Sequence, residues 1–412
     1  MGAFSHIPGL WLDVTRLVTR VGRDALTGID RVELSYLRDA LASGCTHFIC
    51  CTTRGYLLLD QRGAAHLRAM AEGTAQPGPA DWLSRLAFRG QRTRHRVEAS
   101  LRRLAIDRCR PGGLARLLQR HPTPGRVYLN TGHSNLSEKT LTAFAQPAGS
   151  VIAVMVHDLI PLTHPHLVVP EQPANFAGRI ERVRRHATHV IANSAATGHD
   201  LARHWAGQDA PPLTIAPLGL DPRPRRDGTR EDRTFVMLGT IEARKNHALI
   251  LDVWDMFAQD TAPEEMPQLH IIGATGWRVE AVMARLLAHP LLGRAIFLHG
   301  PLSDAEVQDH LARATALLFP SVAEGFGYPP LEAAIAGAVP ICSSLPVFRE
   351  TLGGCAVFVD SADADQWKET IEQQIGRTGD SLSLGNPRCS TWQEHFETVA
   401  AAITLRTLRE RP

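Results

Sequence analysis

Nine short runs of apolar and β-branched residues recur along this 412-residue chain and constrain its fold more than any other feature. Most are separated by stretches with helical periodicity, and each run is almost continuously apolar, as strands buried on both faces are. The runs are RVYLNTG, SVIAVMVHD, HVIANSA, TFVMLGT, LHIIGA, AIFLHG, ALLFPS, VPICSS and AVFVD. Strand and helix in alternation predict an α/β protein whose parallel sheets carry helices on both faces.

The stretch PLGLDPRPRRDGTREDR, residues 217–233, interrupts this alternation. It is dense in proline and charge and lacks apolar periodicity, which is typical of a linker. A chain of this length also exceeds one ordinary core and fits two domains of roughly 200 residues. We therefore predict one domain over residues 1–222, a second over 223–388, and a final helical segment over 389–412 that can cross back to the first.

Composition narrows the functional class. The net charge of +2 and the 21% charged fraction give no global field for nucleic acid, so none is expected as a partner. The seven cysteines lack metal-ligand spacing, and the neighbours Cys50 and Cys51 cannot readily bridge, which predicts reduced thiols. The N-terminus lacks a secretory leader pattern, and no apolar run has the length of a membrane span. These features predict a cytoplasmic protein.

The segment PSVAEGFGYPPLEAAIAGAVPIC, residues 320–342, carries the first candidate site. A buried strand is expected to end near Pro320, a glycine turn follows, and a helix is expected to begin at Pro329 or Pro330 and to stop at Gly337. A strand, a glycine turn and a helix N-terminus together form an anion site, because unpaired amides and the positive end of the helix dipole point to it.

Two glutamates flank this turn. Glu332 is predicted in the first turn of the helix and Glu324 before the glycine turn, while Gly325 and Gly327 let a ligand approach the backbone. Carboxylates beside an anion site indicate a ligand with hydroxyls as well as phosphate. The alternative is structural: Glu332 complements the helix dipole and Glu324 caps the turn.

A second strand that runs into a glycine turn, FVMLGTIEARKNH, is followed at once by Arg244 and Lys245. If both strands belong to one sheet, these two cations lie near the anion site. The arginine offers a planar guanidinium and the lysine a compact ammonium to phosphate oxygens. The alternative is the solvated start of a helix.

GTIEARKNH and EGFGYPPLEAAIAGAVPICSSLPVFRE together resemble the retaining family-4 glycosyltransferases of the GT-B fold, in which two Rossmann-like parallel-sheet domains face each other across a cleft. VHDLIPLTHP, IANSAATGHDL and IAPLGLD extend the resemblance towards the N-terminus. Within the family, the sequences of these motifs most resemble those of bacterial mannosyltransferases of O-antigen and exopolysaccharide assembly. The resemblance implies a cleft that binds a sugar nucleotide mainly in the second domain and an acceptor mainly in the first.

The resemblance also implies roles around the donor diphosphate. Arg244 and Lys245 would bind it, Gly239 would lie in the turn before them, and Gly28 in LTGIDRVEL would belong to an early glycine loop beside it, with Arg31 following. In that loop Asp30 stands where relatives often have a second glycine, which places a carboxylate near the diphosphate or near the acceptor. Ala243 replaces a proline that relatives often carry, a mild change.

For the rest of the donor, the resemblance implies that Glu332 holds the ribose hydroxyls and Glu324 the hydroxyls of the sugar. The backbone at Phe326 and Gly327 would line the sugar and phosphate. His157, at the end of a strand in the first domain, would reach across the cleft towards the reacting face of the sugar. Taken alone, a histidine at a strand end is more often structural.

The predicted reaction is retaining transfer of a hexose, with mannose from GDP-mannose as the first expectation and a UDP- or dTDP-sugar as the alternative. The sequence places no carboxylate within reach of the anomeric carbon, so no covalent nucleophile is assigned. SADADQW contains Asp363 and Asp365 in the spacing of a metal site, but it follows a strand near the C-terminus, which favours Asp365 as a helix N-cap. We expect no catalytic metal and no cofactor.

Two other functions remain open from the sequence. IIGATGW has two glycines after a strand, as a nicotinamide-dependent dehydrogenase would, but it lacks a full G-x-G-x-x-G and the acidic residue that follows. A scaffold that binds a sugar nucleotide without turnover is the non-enzymatic alternative.

The segment 85–120 is rich in arginine, with leucines between the charges. A basic amphipathic region of this kind can contact an anionic membrane, which suits an acceptor linked to a lipid. The alternative is an insertion that packs on the first domain.

Overall fold

The computed structural model describes residues 2–23, 26–81, 92–146, 149–221, 230–376 and 389–409. These form two α/β units, each built around one sheet. The strands described are β1 Leu10–Asp13, β2 His47–Thr52, β3 Gly55–Leu59, β4 Asp107–Cys109, β5 Val127–Asn130, β6 Val151–Val156, β7 His189–Ala192, β8 Leu213–Ile215, β9 Thr234–Leu238, β10 Gln268–Ile272, β11 Ile296–His299, β12 Ala316–Phe319, β13 Val339–Ser343 and β14 Val357–Val359.

The helices lie between the strands and on both faces of the sheets. Those described are α1 Thr15–Arg20, α2 Gly28–Ala42, α3 Gln61–Ala71, α4 Arg92–Leu104, α5 Leu114–Arg120, α6 Glu138–Phe144, α7 Ile160–Thr163, α8 Gln172–His186, α9 Ala195–His204, α10 His247–Asp260, α11 Glu280–Leu287, α12 Asp304–Arg313, α13 Tyr328–Ala336, α14 Pro346–Leu352, α15 Ala364–Gln374 and α16 Trp392–Arg409. Short 3₁₀ turns complete the connections.

The first sheet has the order β4-β3-β2-β1-β5-β6-β7-β8. Its strands are parallel except at β3, which runs antiparallel to both β2 and β4. The predicted parallel sheet therefore has an antiparallel edge that the sequence did not indicate. The reason is local: β2 and β3 are joined by a two-residue turn, and such a short connection can join only antiparallel neighbours.

The second sheet has the order β11-β10-β9-β12-β13-β14, and all its pairs are parallel. Every one of the nine apolar runs contains a strand of one sheet or the other. β9 and β12 are neighbours, so the turns at their carboxyl ends meet at the same edge. The predicted linker lies between β8 and β9, and its residues 222–229 lie outside the described residues.

The final helix α16 packs on the first sheet and not on the domain that precedes it in the chain. It contacts β6 and β7 and the 3₁₀ turn at residues 3–6. The Tyr36 hydroxyl and the His395 ring nitrogen lie 2.7 Å apart, and Phe396 packs edge-on against Phe4 and Tyr36. The chain thus returns from the second unit to close the core of the first.

The basic segment is part of the first unit where the structure describes it; residues 82–91 lie outside the described residues. In α4, Val97 and Leu101 are fully buried, so the apolar face of the helix packs on the domain core. Its charges are bonded locally: Arg94 pairs with Glu98 at 3.0 Å, and Arg102 with Asp81 at 2.6 Å. An approach to a membrane would therefore depend on the charged face alone.

All seven cysteines are free thiols, as the sequence predicts. Across the described residues, the helices are too short or too polar to cross a lipid bilayer.

Candidate active site

The turn after β9 holds Arg244 and Lys245 in place. Gly239 ends the strand at φ +134°, residues 243–245 form a 3₁₀ turn, and Asn246 adopts the left-handed conformation at φ +55° before α10 begins. The Arg244 carbonyl accepts a hydrogen bond from the Val322 backbone N–H at 2.8 Å. The two predicted motifs are therefore joined through the backbone as well as through their side chains.

Glu324 binds both cations. Its Oε2 lies 2.5 Å from Nη1 of Arg244, and its Oε1 lies 2.5 Å from Nζ of Lys245. Oε1 also accepts from the Ser321 hydroxyl at 2.9 Å. Arg244 contacts a second carboxylate, Glu242, at 2.6 Å. The sequence had placed the cations near the glutamate, and the structure joins them directly.

Arg244, Lys245 and Glu324 form a group whose members stay charged despite burial, because the opposite charges stabilise one another. Burial alone would raise the pKa of Glu324, but Arg244 and Lys245 outweigh it and lower the pKa to about 2. For Lys245, burial lowers the pKa to about 8, with Arg244 acting in the same direction and Glu324 opposing both. Near neutral pH the group therefore holds two cations and one anion, and Lys245 is the member nearest to losing its charge.

If Lys245 binds a donor diphosphate, as the resemblance implies, kcat/KM for a sugar-nucleotide donor should fall as the pH rises through about 8, because deprotonation removes the charge of Lys245. A pH profile between 6 and 10 measures the effect, and Lys245→Gln should lose this limb. A kcat/KM profile that stays flat to pH 10 would contradict the assignment.

Lys245 also makes the stability of the protein depend on pH. Its pKa is about 8 in the folded protein and near the usual 10.5 in the unfolded chain, so the protonated lysine opposes folding below pH 8. This penalty is relieved as the pH rises from 8 to 10.5.

The glycine turn after β12 packs against the first domain. A Cβ at Gly325 would lie 2.2 Å from the His157 carbonyl oxygen and 2.9 Å from Cβ of Asp158. Gly327 has φ +92°, and a Cβ there would lie 2.5 Å from the Phe348 ring. The two positions therefore require glycine for different reasons. Gly325 allows close contact between the domains, and Gly327 allows a positive φ and close packing against the helix that carries Phe348. Phe326 is buried in this turn.

His157 lies at the end of β6, buried, and donates from Nε2 to the Thr131 carbonyl at 2.6 Å. Burial lowers its pKa to about 4, so the ring is neutral near pH 7 with the proton on Nε2. Its ring is held by its own domain, while its backbone carbonyl faces Gly325 of the other. The structure therefore gives this residue a role at the domain contact that the sequence did not indicate.

Helix α13 carries Glu332, which is buried and pairs with Arg31 at 2.7 Å. The Arg31 guanidinium also stacks over the Tyr328 ring at 4.8 Å, and a Cβ on Gly28 would lie 3.5 Å from that ring. The early glycine loop and α13 thus meet across the cleft. The helix begins at Tyr328, so the prediction that Glu332 lies in its first turn was wrong, and the residue lies in the second.

Asp30 is not available to a ligand in this arrangement. Its carboxylate is fully buried, completes a capping box with Thr27 at the start of α2, and pairs with Arg16 at 2.6 Å and Arg20 at 2.7 Å. Asp30 therefore stabilises the loop and the start of α2 through these contacts.

Glu350 forms a second link between the domains. Its two carboxylate oxygens accept from the backbone N–H groups of Ala195 and Ala196, at 2.7 and 3.2 Å, at the N-terminus of α9. The Ser194 hydroxyl donates in the other direction, to the Gly325 carbonyl at 2.9 Å. No sequence pattern indicated Glu350, because its partners lie in the other domain, about 155 positions away.

Replacing Glu350 with alanine is expected to lower the free energy of unfolding by about 1 to 2 kcal/mol, because two helix-terminal N–H groups lose a charged acceptor. Urea denaturation followed by circular dichroism measures it. Glu369→Ala is the matched control, since Glu369 is exposed and accepts a hydrogen bond from Gln373 within the same helix, α15. Equal effects of the two variants would contradict the link.

The Asp-x-Asp pair lies at the start of α15, and one of its members caps this helix. The Asp363 side chain accepts from the Gln366 backbone N–H at 2.9 Å, so Asp363 is the N-cap of α15. The prediction of Asp365 as the cap was wrong by two positions. In the dehydrogenase-like stretch, a Cβ at Gly273 would lie 2.0 Å from the Gly239 carbonyl, so packing between two strand ends accounts for that glycine.

Within the described ranges, the side chains that could hold a metal ion are those of His270, His299 and His310, whose ring nitrogens lie within 4.8 Å of one another. They come from β10, β11 and α12. None of them belongs to the cation group at Glu324, and His270 and His299 already contact each other at 3.0 Å.

Comparisons with known proteins show which family part of the chain belongs to. Residues 223–378 match the family described as "Glycosyl transferases group 1". The chain is 30% identical over 286 residues to the serotype-specific mannosyltransferase WbdA of Escherichia coli, covering 63% of this chain and 34% of that protein. It is 24% identical over 236 residues to the O-antigen chain mannosyltransferase RfbU of Salmonella typhimurium, covering 57% and 63%. The chain thus spans about a third of the length of the WbdA relative.

Solved structures show the same architecture. HepE of Anabaena, solved in complex with UDP and glucose, superposes with a TM-score of 0.57 at 14% identity, over 97% of each chain. Sucrose-phosphate synthase from Thermosynechococcus elongatus gives 0.57 at 15% identity, over 97% of this chain and 96% of that one. These matches confirm the resemblance predicted from the two motifs. Residues 223–378 therefore form a domain of the glycosyl transferases group 1 family, in a chain that has the GT-B architecture.

Proposed function

We propose that this protein is a retaining hexosyltransferase that works without a metal and takes its sugar from a nucleotide donor in the synthesis of a bacterial surface glycan. The observation that carries the proposal is the group of Arg244, Lys245 and Glu324, in which the half-buried Arg244 and the buried Lys245 share one carboxylate beside a glycine turn. The family match and the relatives named as mannosyltransferases support the same class of reaction.

The difficult step is departure of the nucleoside diphosphate from the anomeric carbon. The bond from that carbon to the β-phosphate oxygen breaks, and its electron pair stays on the phosphate. Arg244 and Lys245 stabilise the charge that grows there, and they do so without reorganisation because Glu324 already holds them in place. The acceptor hydroxyl oxygen forms the new bond on the same face of the sugar, and its proton passes to the departing diphosphate.

Glu324 has a second task in this scheme. When the donor phosphates take a share of the two cations, the carboxylate accepts hydrogen bonds from hydroxyls of the sugar. Glu332 accepts in the same way from the ribose, exchanging part of its contact with Arg31 for the ligand. Because Arg31 belongs to the first domain, donor binding then acts on the contact between the domains, whose closure excludes the water that would hydrolyse the donor.

The finer assignments rest on the relatives. We propose mannose from GDP-mannose as the donor, because WbdA and RfbU are named mannosyltransferases. A UDP-sugar is the alternative donor, since HepE was solved with UDP and glucose. We propose a glycan or lipid-linked acceptor, and action in the cytoplasm, where the seven thiols stay reduced, with the charged face of the basic segment near an anionic membrane.

The test is the melting temperature with GDP, UDP or dTDP, on wild type and on Arg244→Gln with Lys245→Gln. A nucleotide at about 100 times its Kd adds about 2.7 kcal/mol to the folded state, a shift of several degrees. We expect GDP to stabilise wild type and not the double variant.

Equal shifts of the melting temperature in both proteins would overturn the assignment of Arg244 and Lys245 to the phosphate. A shift with UDP alone would mean that the donor carries UDP and not GDP. Stabilisation by GDP without hydrolysis or transfer of GDP-mannose would favour the scaffold over the enzyme.

A further inference from the structure

A cavity of about 430 Å³ lies in the first domain beside His157, and we call it the arginine pocket. Its lining consists of three arginines from two helices and the loop after β5: Arg16 on α1, Arg179 and Arg182 on α8, and residues 132–137. In that loop, His133 accepts from the His157 backbone N–H at 3.3 Å, and the two ring centroids are 5.1 Å apart. The pocket therefore lies directly behind the residue whose carbonyl faces the second domain.

The loop is held rigidly in an unusual conformation. His133 and Asn135 both have positive φ, +57° and +59°, which few non-glycine residues adopt, although histidine and asparagine do so more often than most. Asn135 donates from Nδ2 to the buried Asp13 at 2.7 Å. A Cβ at Gly132 would lie 1.9 Å from Oε2 of Glu33, so the loop packs tightly on the buried carboxylate. The shape of the pocket is thus fixed before any ligand binds.

Two of the three arginines that line the pocket, Arg179 and Arg182, have no acidic partner among the described residues. Over the ranges that the structure describes, no carboxylate lies within ion-pair distance of Arg179 or Arg182; Arg182 donates to the Leu136 carbonyl at 2.9 Å, and Arg179 stacks over Phe176 at 5.8 Å. Arg16 alone has an acidic partner, Asp30. Burial lowers the pKa of Arg179, and Arg182 and Arg16 lower it further, because three cations repel one another. Such a pocket favours an anionic ligand.

The other arginines of the same helix make the contrast clear. Arg184 pairs with Glu181 at 2.7 Å, and Arg185 pairs with Glu138 at 3.0 Å. Arg179 and Arg182 are one turn apart and lie on the same face of α8, towards the cavity. The helix thus neutralises its outer arginines and leaves the two inner ones for a ligand.

We propose that the arginine pocket binds a phosphate or diphosphate group of the acceptor. This inference rests on the proposed function, because only a transferase needs an acceptor. The volume falls within the range of small-molecule sites and exceeds what one phosphate fills. The group belongs either to a lipid-linked glycan or to a soluble sugar phosphate, and both offer the same oxygens to the guanidinium forks. Bound there, it places the rest of the acceptor beside His157.

Binding is measured first with inorganic pyrophosphate at matched ionic strength, in a protein whose donor site is disabled by Arg244→Gln and Lys245→Gln. We expect pyrophosphate to raise the melting temperature of this protein by several degrees, and we expect the addition of Arg179→Gln and Arg182→Gln to abolish the shift. Arg185→Gln, on the same helix but ion-paired, should leave it intact. An equal shift with and without the pocket arginines would overturn the proposal.

Transfer is measured next, with the donor sites intact, on a decyl phosphate-linked hexose and on the matched neutral decyl hexoside. Arg179→Gln with Arg182→Gln is expected to lower kcat/KM for the phosphorylated acceptor about 100-fold, since two charged hydrogen bonds are lost. The neutral acceptor and donor hydrolysis without acceptor should change by less than about twofold. A methyl phosphate-linked hexose separates the sources: if it equals the decyl compound, the acceptor is soluble, and if it is much poorer, the lipid contributes.

A pyrophosphate shift without any difference in transfer would mean an adventitious ion only, and would also overturn the proposal. If wild type neither hydrolyses nor transfers any donor, the proposed function fails on its own evidence. The pyrophosphate experiment still reports on the pocket in that case, because it needs no donor.

Discussion

Replacing Arg244 and Lys245 together with glutamine is expected to reduce the turnover of the sugar nucleotide by about a thousandfold or more. Loss of one preorganised donor of this kind typically costs about a hundredfold to a thousandfold, and here two charged donors at one growing charge are removed. Steady-state transfer at saturating donor and acceptor measures the change in kcat. Because the same two cations also bind the donor diphosphate in the proposed scheme, kcat/KM should fall further than kcat.

Folding has to be separated from catalysis in this experiment, because Glu324 would stay buried without its cations. Lys245→Gln alone keeps Arg244 on the carboxylate and should cost about a hundredfold with the fold intact. Lys368→Gln is the matched control, since Lys368 lies in the same domain but pairs with Asp260 and Glu372 on the surface. A folded double variant with nearly normal kcat would overturn the assignment of the two cations.

Gly325→Ala is expected to lower kcat about a hundredfold. The added Cβ would lie 2.2 Å from the His157 carbonyl oxygen, so the glycine turn or the whole second domain has to move. A displacement of about 1 Å in a catalytic group can cost that factor. The φ angle of Gly325 is not positive, so alanine can adopt the local backbone conformation and the effect isolates the contact between the domains.

Gly354→Ala is the control for Gly325→Ala, because a Cβ at Gly354 would meet no heavy atom within 4 Å and its φ is not positive either. It should leave both kcat and the melting temperature nearly unchanged. Small-angle scattering of the Gly325→Ala protein should show a wider separation of the domains than in wild type. Normal kcat in that variant would mean that the close approach at His157 is not needed for turnover.

The parts of this fold that the sequence predicted are those with a local signal. Each of the nine strands came from a run of buried apolar residues, and the meeting of Arg244 with Glu324 follows once β9 and β12 are neighbours in one parallel sheet. Carboxyl ends of parallel strands lie at one edge, so two glycine turns there come together. The end of α13 at Gly337, with φ +94°, was likewise set by the residue itself.

The parts that the sequence did not predict depend on partners far along the chain. Glu332 was expected to be a ligand residue, and its contact with Arg31 joins positions about 300 residues apart. β1 to β4 and β8 lacked long apolar runs, and the antiparallel edge depended on one two-residue turn. Asp363 and Asp365 are both good helix caps by type, and only the hydrogen bond to Gln366 distinguishes them. Periodicity shows which face is buried but not what covers it.

Helix α16 makes the two halves of this chain inseparable in a practical sense. Although α16 follows the second α/β unit in the chain, its residues Phe396, Val399 and Ile403 are buried in the core that contains Phe4 and Tyr36. A fragment ending at residue 221 would leave those aromatic rings facing water. We therefore expect a fragment of the first domain to refold only when a peptide of residues 389–409 is added. A chimaera that exchanges second domains between relatives would have to keep α16 together with the surface of the first domain on which it packs.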